Sequence, residues 1–152
     1  MSIKLILIVD DSPTERYFLS DLLGKNGYEV IVAENGEQAI EKAKNNPDLI
    51  LMDVVMPGIN GFQATRAISL NEETRHIPII ICTTKNQATD RVWGIRQGAK
   101  DYITKPVDGV NLLAKIKSLL DDKPEISTAM SSDQVQLRAE TEASTAPSQT
   151  MY

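Results

Sequence analysis

Five short, strongly apolar runs, each followed by a stretch with helical spacing, constrain this chain more than any other feature. The runs are Leu5–Val9, Glu29–Val32, Leu49–Met52, Ile79–Cys82 and Tyr102–Ile103. They are rich in Ile, Val and Leu and too short to be helices. Strands that lack polar alternation suit a sheet covered on both faces. Strand–helix alternation then implies a parallel sheet with right-handed crossovers.

The intervening segments carry their own punctuation. Asp11-Ser12-Pro13 offers cap-type residues and then a proline at a helix entry. Phe18, Leu22 and Leu23 follow at helical steps, and Gly24 is a natural stop. A second helix is expected from near Gly36 through Ala39, Ile40 and Ala43 to Asn45-Asn46-Pro47. A third, Phe62 to Leu70, sets Ala64, Ala67 and Ile68 on one face. In the fourth, Ala88, Val92, Ile95 and Ala99 form an apolar stripe. Asp108 can cap the last helix, whose stripe is Leu112, Leu113, Ile116, Leu119 and Leu120.

A single folded domain over residues 3–121 is the expectation for a chain of 152 residues. Residues 122–152 are rich in Ser, Thr, Ala and Glu with few large apolar groups. Such a stretch cannot bury enough surface to offset its ordering entropy, so a disordered tail is expected there. A net charge of −5 disfavours DNA and other nucleic-acid partners. No apolar run approaches the ~20 residues needed to cross a bilayer, so membrane insertion is not expected. The N-terminus lacks the pattern of a signal peptide. One cysteine, Cys82, excludes an internal disulfide and any multi-cysteine metal site. A cytoplasmic protein is the expectation. His76, the sole histidine, is read as a solvated side chain, and Cys82 as a small buried hydrophobe.

Ligands of parallel α/β sheets bind beyond the carboxyl ends of the strands. There the sequence places Asp10 and Asp11 after the first strand, Asp53 after the third, Thr83 after the fourth and Lys105 after the fifth. Any one of these alone reads as a cap, a turn residue or a solvated charge. Together they gather three carboxylates, a hydroxyl and an ammonium at one edge. Carboxylates so close repel one another, and burial opposes their ionisation further. A divalent cation relieves both costs, and oxygen ligands with retained waters suit Mg²⁺. Asp11 is the better direct ligand and Asp10 the better water-mediated one. Asp53 is then free to act as a nucleophile toward a phosphoryl donor, with metal, ammonium and hydroxyl sharing the charge.

These residues sit in recognisable segments. Leu-Ile-Val-Asp-Asp-Ser ends at Ser12, and Leu-Met-Asp-Val-Val-Met-Pro-Gly-Ile-Asn-Gly spans Leu51 to Gly61. Ile-Cys-Thr-Thr ends at Thr84, and Gly98-Ala99-Lys100-Asp101-Tyr102 and Lys105-Pro106 follow. Residues 3–121 thereby resemble the receiver domain of two-component signalling, the CheY-like family. The resemblance implies a flavodoxin-like (βα)5 fold, a doubly wound five-stranded parallel sheet in the order 2-1-3-4-5. It implies Asp53 as the aspartyl-phosphate acceptor and Asp10, Asp11, Asp53 and the Val55 carbonyl as Mg²⁺ ligands. Thr83 and Lys105 would bind the phosphoryl group, Thr83 and Tyr102 would form the switch, and Lys105–Pro106 would be cis.

The donor would be a histidine kinase or a phosphotransfer domain, CheA-like in a chemotaxis-type pathway. The output would be a protein target met by a monomer, through a surface including Arg91, Lys100, Tyr102 and Trp93. Trp93 itself fits either a packing residue or a partner anchor. On phosphorylation Thr83 would move toward the phosphate and Tyr102 would turn inward. A finer resemblance, carried by Asp11-Ser-Pro-Thr-Glu15, Gly61-Phe-Gln-Ala-Thr-Arg66 and Thr83-Thr-Lys-Asn-Gln87 onward to Gly94, is to the PilH-type receivers. These serve type IV pilus and twitching-motility systems. Two departures stand out: Thr84 occupies a place where alanine is usual, and apolar Val55 sits where the family tunes hydrolysis.

Three rivals fit less well. Haloacid-dehalogenase-type phosphatases set their nucleophile in an Asp-x-Asp motif after the first strand, whereas this strand ends Asp10-Asp11-Ser12. A degenerate receiver that ignores phosphate would lack one of the five key residues. A dinucleotide-binding domain would need Gly-x-Gly-x-x-Gly after the first strand. A regulator rather than an enzyme is the expectation.

Overall fold

In the computed structural model, which describes residues 3–121, strands and helices alternate from end to end. The order is β1 (Leu5–Val9), α1 (Pro13–Lys25), β2 (Glu29–Ala33), α2 (Gly36–Ala43), β3 (Leu49–Met52) and α3 (Gly61–Leu70). It continues with β4 (Ile79–Thr83), α4 (Ala88–Arg96), β5 (Asp101–Thr104) and α5 (Gly109–Asp121). One compact unit extends to Lys117 and a second begins at Ser118, of which only the end of α5 is described. The expected tail, residues 122–152, lies outside the described residues.

All five strands are parallel and lie in the order β2-β1-β3-β4-β5, as the resemblance implied. Both faces of the sheet are buried, which is why the strands read as unbroken apolar runs. On one face Leu7, Val9, Ile50, Met52 and Ile79 join Ala39 and Ala43 of α2 and Ala64 and Ile68 of α3 in a single core cluster. The alternate residues Ile6, Ile8, Leu49, Leu51, Ile80 and Cys82 are equally buried on the other face. α1 brings buried Leu19 and Leu23, and α5 brings buried Leu112 and Ile116.

The helix entries follow the punctuation. The Ser12 hydroxyl accepts from the Glu15 amide at 3.2 Å, with Pro13 as the first helical residue. Asp108 Oδ1 accepts from the Val110 amide at 3.1 Å. Gly24 does not end α1. The helix runs on to Lys25, and the chain reverses at Gly27 with φ of 91°. Ala67 is exposed, so the buried face of α3 is Phe62, Ala64, Thr65 and Ile68.

The larger correction concerns α4. Its expected stripe faces solvent: Val92 is 54% exposed and Ile95 46% exposed, while Ala99 lies beyond the helix end. The residues buried there are Gly94, Gln97 and Ala99. Apolar spacing marks an amphipathic helix without saying which way its face points.

β3 sits at the centre of the sheet with neighbours on both sides. Ile50→Ala is expected to lower the unfolding free energy by about 2–5 kcal/mol, the usual cost of a cavity in a packed core. Urea unfolding followed by circular dichroism measures it, and a loss below about 1 kcal/mol would show that β3 is not the packed centre.

Candidate phosphoryl-acceptor site

The parallel register brings the polar residues together. Val9 pairs with Met52, Ile81 with Met52 and with Tyr102, and Thr83 with Thr104, so the carboxyl ends of β1, β3, β4 and β5 share one edge. The Asp53 amide donates to the Val9 carbonyl at 2.9 Å, which places Asp53 beside Asp10. Asp10, Asp11 and Asp53 each offer a carboxylate oxygen within 4.8 Å of the others. Asp10 and Asp53 are buried, and Asp11 is exposed at the mouth.

Lys105 reaches into this cluster from the far side of the sheet. Its Nζ lies 2.7 Å from Asp10 Oδ2, 3.6 Å from Asp53 Oδ2 and 3.9 Å from Glu15 Oε1. The Lys105–Pro106 bond that follows β5 is cis, as the resemblance implied. The remaining carboxylate oxygens find backbone donors. Ser12 N–H donates to Asp10 Oδ1 at 2.9 Å and Val54 N–H to Asp53 Oδ1 at 2.8 Å. Thr83, fully buried, ends β4 at the same edge, and its hydroxyl accepts a long 3.4 Å bond from the Lys85 amide.

The electrostatics follow from this crowding. Burial and then the Asp10 charge raise the Asp53 pKa above its ordinary value, against the pull of Lys105, the Val54 amide and the Thr83 hydroxyl. Burial alone would lower the Lys105 pKa. The hydrogen bond to Asp10 and the charges of Asp53, Asp10 and Glu15 outweigh it and raise that pKa. Burial pushes the nearby Cys82 thiol up to about 12, so it stays neutral and inert.

The donor set fits a hard divalent cation. Three carboxylates converge, only one buried ammonium balances them, and every candidate ligand atom is oxygen. Val55 lies two residues beyond Asp53 with its side chain exposed.

Two contributors escaped the sequence reading. Arg16 Nη1 donates to the Asp10 carbonyl at 2.9 Å, bracing the loop that carries the acid pair, and Glu15 approaches Lys105. Both lie in the first turn and a half of α1, four to six residues after Asp10 and Asp11, near enough in the chain for their side chains to reach back to the acid loop. Gly61 is a further requirement of the site's backbone. A β-carbon there would fall 1.9 Å from the Asp53 carbonyl oxygen, so only glycine lets α3 begin against the Asp53 backbone.

The other sequence expectations divide. Arg91, Trp93 and Lys100 are exposed; Trp93 is half covered, which fits a partly buried packing residue as well as a partner anchor. Tyr102 is buried at 2% exposure, so it is not part of an open surface here. Its ring lies inward because Val54, Phe62, Ile81 and Ala99 form an apolar pocket around it. His76 is exposed and hydrogen-bonds Asn46 at 2.7 Å, far in sequence from every acid of the cluster.

A carboxyl with a raised native pKa destabilises the fold once ionised. As pH rises from the ordinary value of 3.8 through the raised one, the native state holds its proton more tightly, and stability falls. Asp53→Asn should therefore raise the urea midpoint at neutral pH in metal-free buffer. The gain should shrink below about pH 4, where the unfolded chain is protonated too. An equal or lower midpoint at pH 7 would show that Asp53 is not electrostatically strained.

Comparison with known proteins agrees with this geometry. The family profile of the response regulator receiver domain matches residues 6–117. The chain is 58% identical over 116 residues to protein PilH of Pseudomonas aeruginosa, covering 76% of this chain and 96% of that one. It is 41% identical over 115 residues to the response regulator PleD of Caulobacter vibrioides, covering 75% of this chain and 25% of that longer protein. Among solved structures, a CheY-like receiver domain protein from Methanospirillum hungatei superposes with a TM-score of 0.75 at 31% identity, over 83% of this chain and all (100%) of that one. The receiver domain of a sensor histidine kinase from Pseudomonas aeruginosa, solved with magnesium in its active-site cleft, gives 0.74 at 31% identity, over 80% and 100% of the two chains. Fold, acid cluster and sequence agree that this chain belongs to the response-regulator receiver family.

Proposed function

We propose that the chain is a phosphorylation switch that accepts a phosphoryl group on Asp53 and signals by a change in protein–protein contacts. The observation that carries this reading is the approach of Lys105 Nζ to both Asp10 and Asp53 within the three-carboxylate cluster. A surface ion pair has no need of three acids around one buried lysine. A site that pairs a divalent cation with a phosphoryl group does: the acids would hold the cation, and cation and lysine would face the phosphoryl oxygens.

In this reading Asp10 and Asp11, with Asp53 and the Val55 carbonyl, hold Mg²⁺, which would neutralise charge on the phosphoryl oxygens. Asp53 Oδ1 is occupied by the Val54 amide, and Oδ2 lies on the Lys105 side. The Asp53 carboxylate attacks phosphorus of a phosphohistidine, the P–N bond breaks, and the imidazole leaves with the electron pair and takes a proton from solvent. Lys105 shifts from Asp10 toward the new phosphoryl oxygens, and the Thr83 hydroxyl follows as their donor. The movement of Thr83 couples to Tyr102, and through it to α4 and β5.

The donor is a histidine kinase or phosphotransfer domain, CheA-like in a chemotaxis-type pathway. The similarity to PilH and the pilus-type motifs around Glu15, Arg66 and Trp93 favour control of type IV pilus motility. The exposed apolar face of α4, with Arg91 and Lys100 at its margin, suits the target. Among the described residues no helix is long and apolar enough to cross a membrane.

Incubation with acetyl phosphate and Mg²⁺ should add the mass of one phosphoryl group to the wild type and none to Asp53→Asn. Equal uptake by both, read by intact mass, would defeat the assignment. Val55, exposed and apolar, offers an attacking water no hydrogen bond, so the phosphoryl group should be long-lived. Val55→Asn is expected to shorten its half-life several-fold in a chase monitored by the same method, and no change would remove Val55 from the hydrolysis step.

A further inference from the structure

Tyr102 is held inward by groups outside the acid cluster. Its hydroxyl donates to the Lys85 carbonyl at 2.8 Å. The Arg91 guanidinium carbon sits 5.0 Å from the ring centroid, within cation–π range, and Arg91 Nη1 donates to the Tyr102 carbonyl at 3.0 Å. β5 is the end strand of the sheet, and Arg91 covers one of its backbone acceptors while capping the ring. The loop that supplies the Lys85 carbonyl is itself tied down. Lys85 Nζ lies 3.6 Å from Asp90 Oδ1, and Asp90 Oδ2 accepts from the Gln87 amide at 3.2 Å.

A further contact with the ring depends on a missing side chain. A β-carbon at Gly94 would fall 3.1 and 3.2 Å from Tyr102 Cδ2 and Cε2, and 2.8 Å from Ile81 Cδ1. Glycine is among the poorest helix formers, and α4 has only nine residues, so Gly94 weakens a short helix. The room it leaves for the ring is the compensation visible in the structure.

We infer that Arg91 and Gly94 are positioning residues that hold Tyr102 inward before phosphorylation, so that the α4–β5 face is already shaped for its partner. The inference rests on the switch reading of Thr83 and Tyr102 proposed above. Phosphorylation can shift an equilibrium only by its differential stabilisation of the two states. A ring already favoured inward leaves less for the phosphate to change, and partner binding has a high phosphate-independent floor.

The test is an NMR measurement on the full chain of the NOE between the Tyr102 ring and Gly94 Hα or the Ile81 methyls. Wild type, Arg91→Ala, Arg91→Lys and Gly94→Ala are compared without metal, then with Mg²⁺ and beryllofluoride as phosphoryl mimic. The wild-type NOE should be strong without the mimic and change little on adding it. Arg91→Ala should reduce the inward-to-outward ratio roughly two- to fivefold, the weight of one partly exposed cation–π contact. Arg91→Lys, which keeps a cation near the ring, should reduce it less, and Gly94→Ala should lower it as the ring gives way to the added methyl. Arg91 is exposed, so its variants retain the fold even if Gly94→Ala does not.

Absence of the NOE in mimic-free wild type overturns the inference, and its appearance on adding beryllofluoride would leave the switch reading intact. An undiminished NOE in Arg91→Ala also overturns it. If the ring moves out in Arg91→Ala and bound beryllofluoride fails to bring it back, the positioning role stands and the coupling to Asp53 falls.

Discussion

The parallel register of β1 and β3 is the constraint on which everything else depends. It sets the Asp53 amide against the Val9 carbonyl, and so puts one carboxylate beside another at the same edge. A slip of one residue would turn each side chain to the opposite face of the sheet. Both faces are buried, so it is the specific packing of Leu7, Val9, Ile50 and Met52 against Ala39, Ala43, Ala64 and Ile68 that fixes which face each occupies.

That arrangement creates an electrostatic problem, and Lys105 answers part of it. One buried ammonium is shared by Asp10, Asp53 and Glu15 and favours the nearest, Asp10. Burial and the Asp10 charge raise the Asp53 pKa, while Lys105, the Val54 amide and the Thr83 hydroxyl oppose them. A site poised in this way responds strongly to any added cation or anion. Thr83 and Tyr102 project from neighbouring strands whose registers are fixed by the same sheet.

Much of this was legible in the residues. Strand positions came through because fully buried parallel strands are continuous apolar runs, and Ser12, Pro13 and Asp108 announced helix entries by their capping chemistry. The cluster of Asp10, Asp11, Asp53, Thr83 and Lys105 was legible from one rule, that strand ends in a parallel sheet converge. Glu15 and Arg16 were missed because their parts depend on side-chain reach across a loop. The orientation of α4 was missed because apolar spacing marks a face without saying whether it turns to the core or to solvent. Its packing is decided by Gly94 and Tyr102 instead of by a stripe.

By itself the sequence determined the layers, the number of strands and the identity of the acids, hydroxyl and lysine that meet. Those follow from local periodicity and from which residue types stand just past each strand. Tertiary structure alone decided which acid Lys105 favours, why Gly61 must be bare and how Tyr102 is gripped. These are matters of distances of a few ångströms between segments far apart in the chain, and no local pattern encodes them.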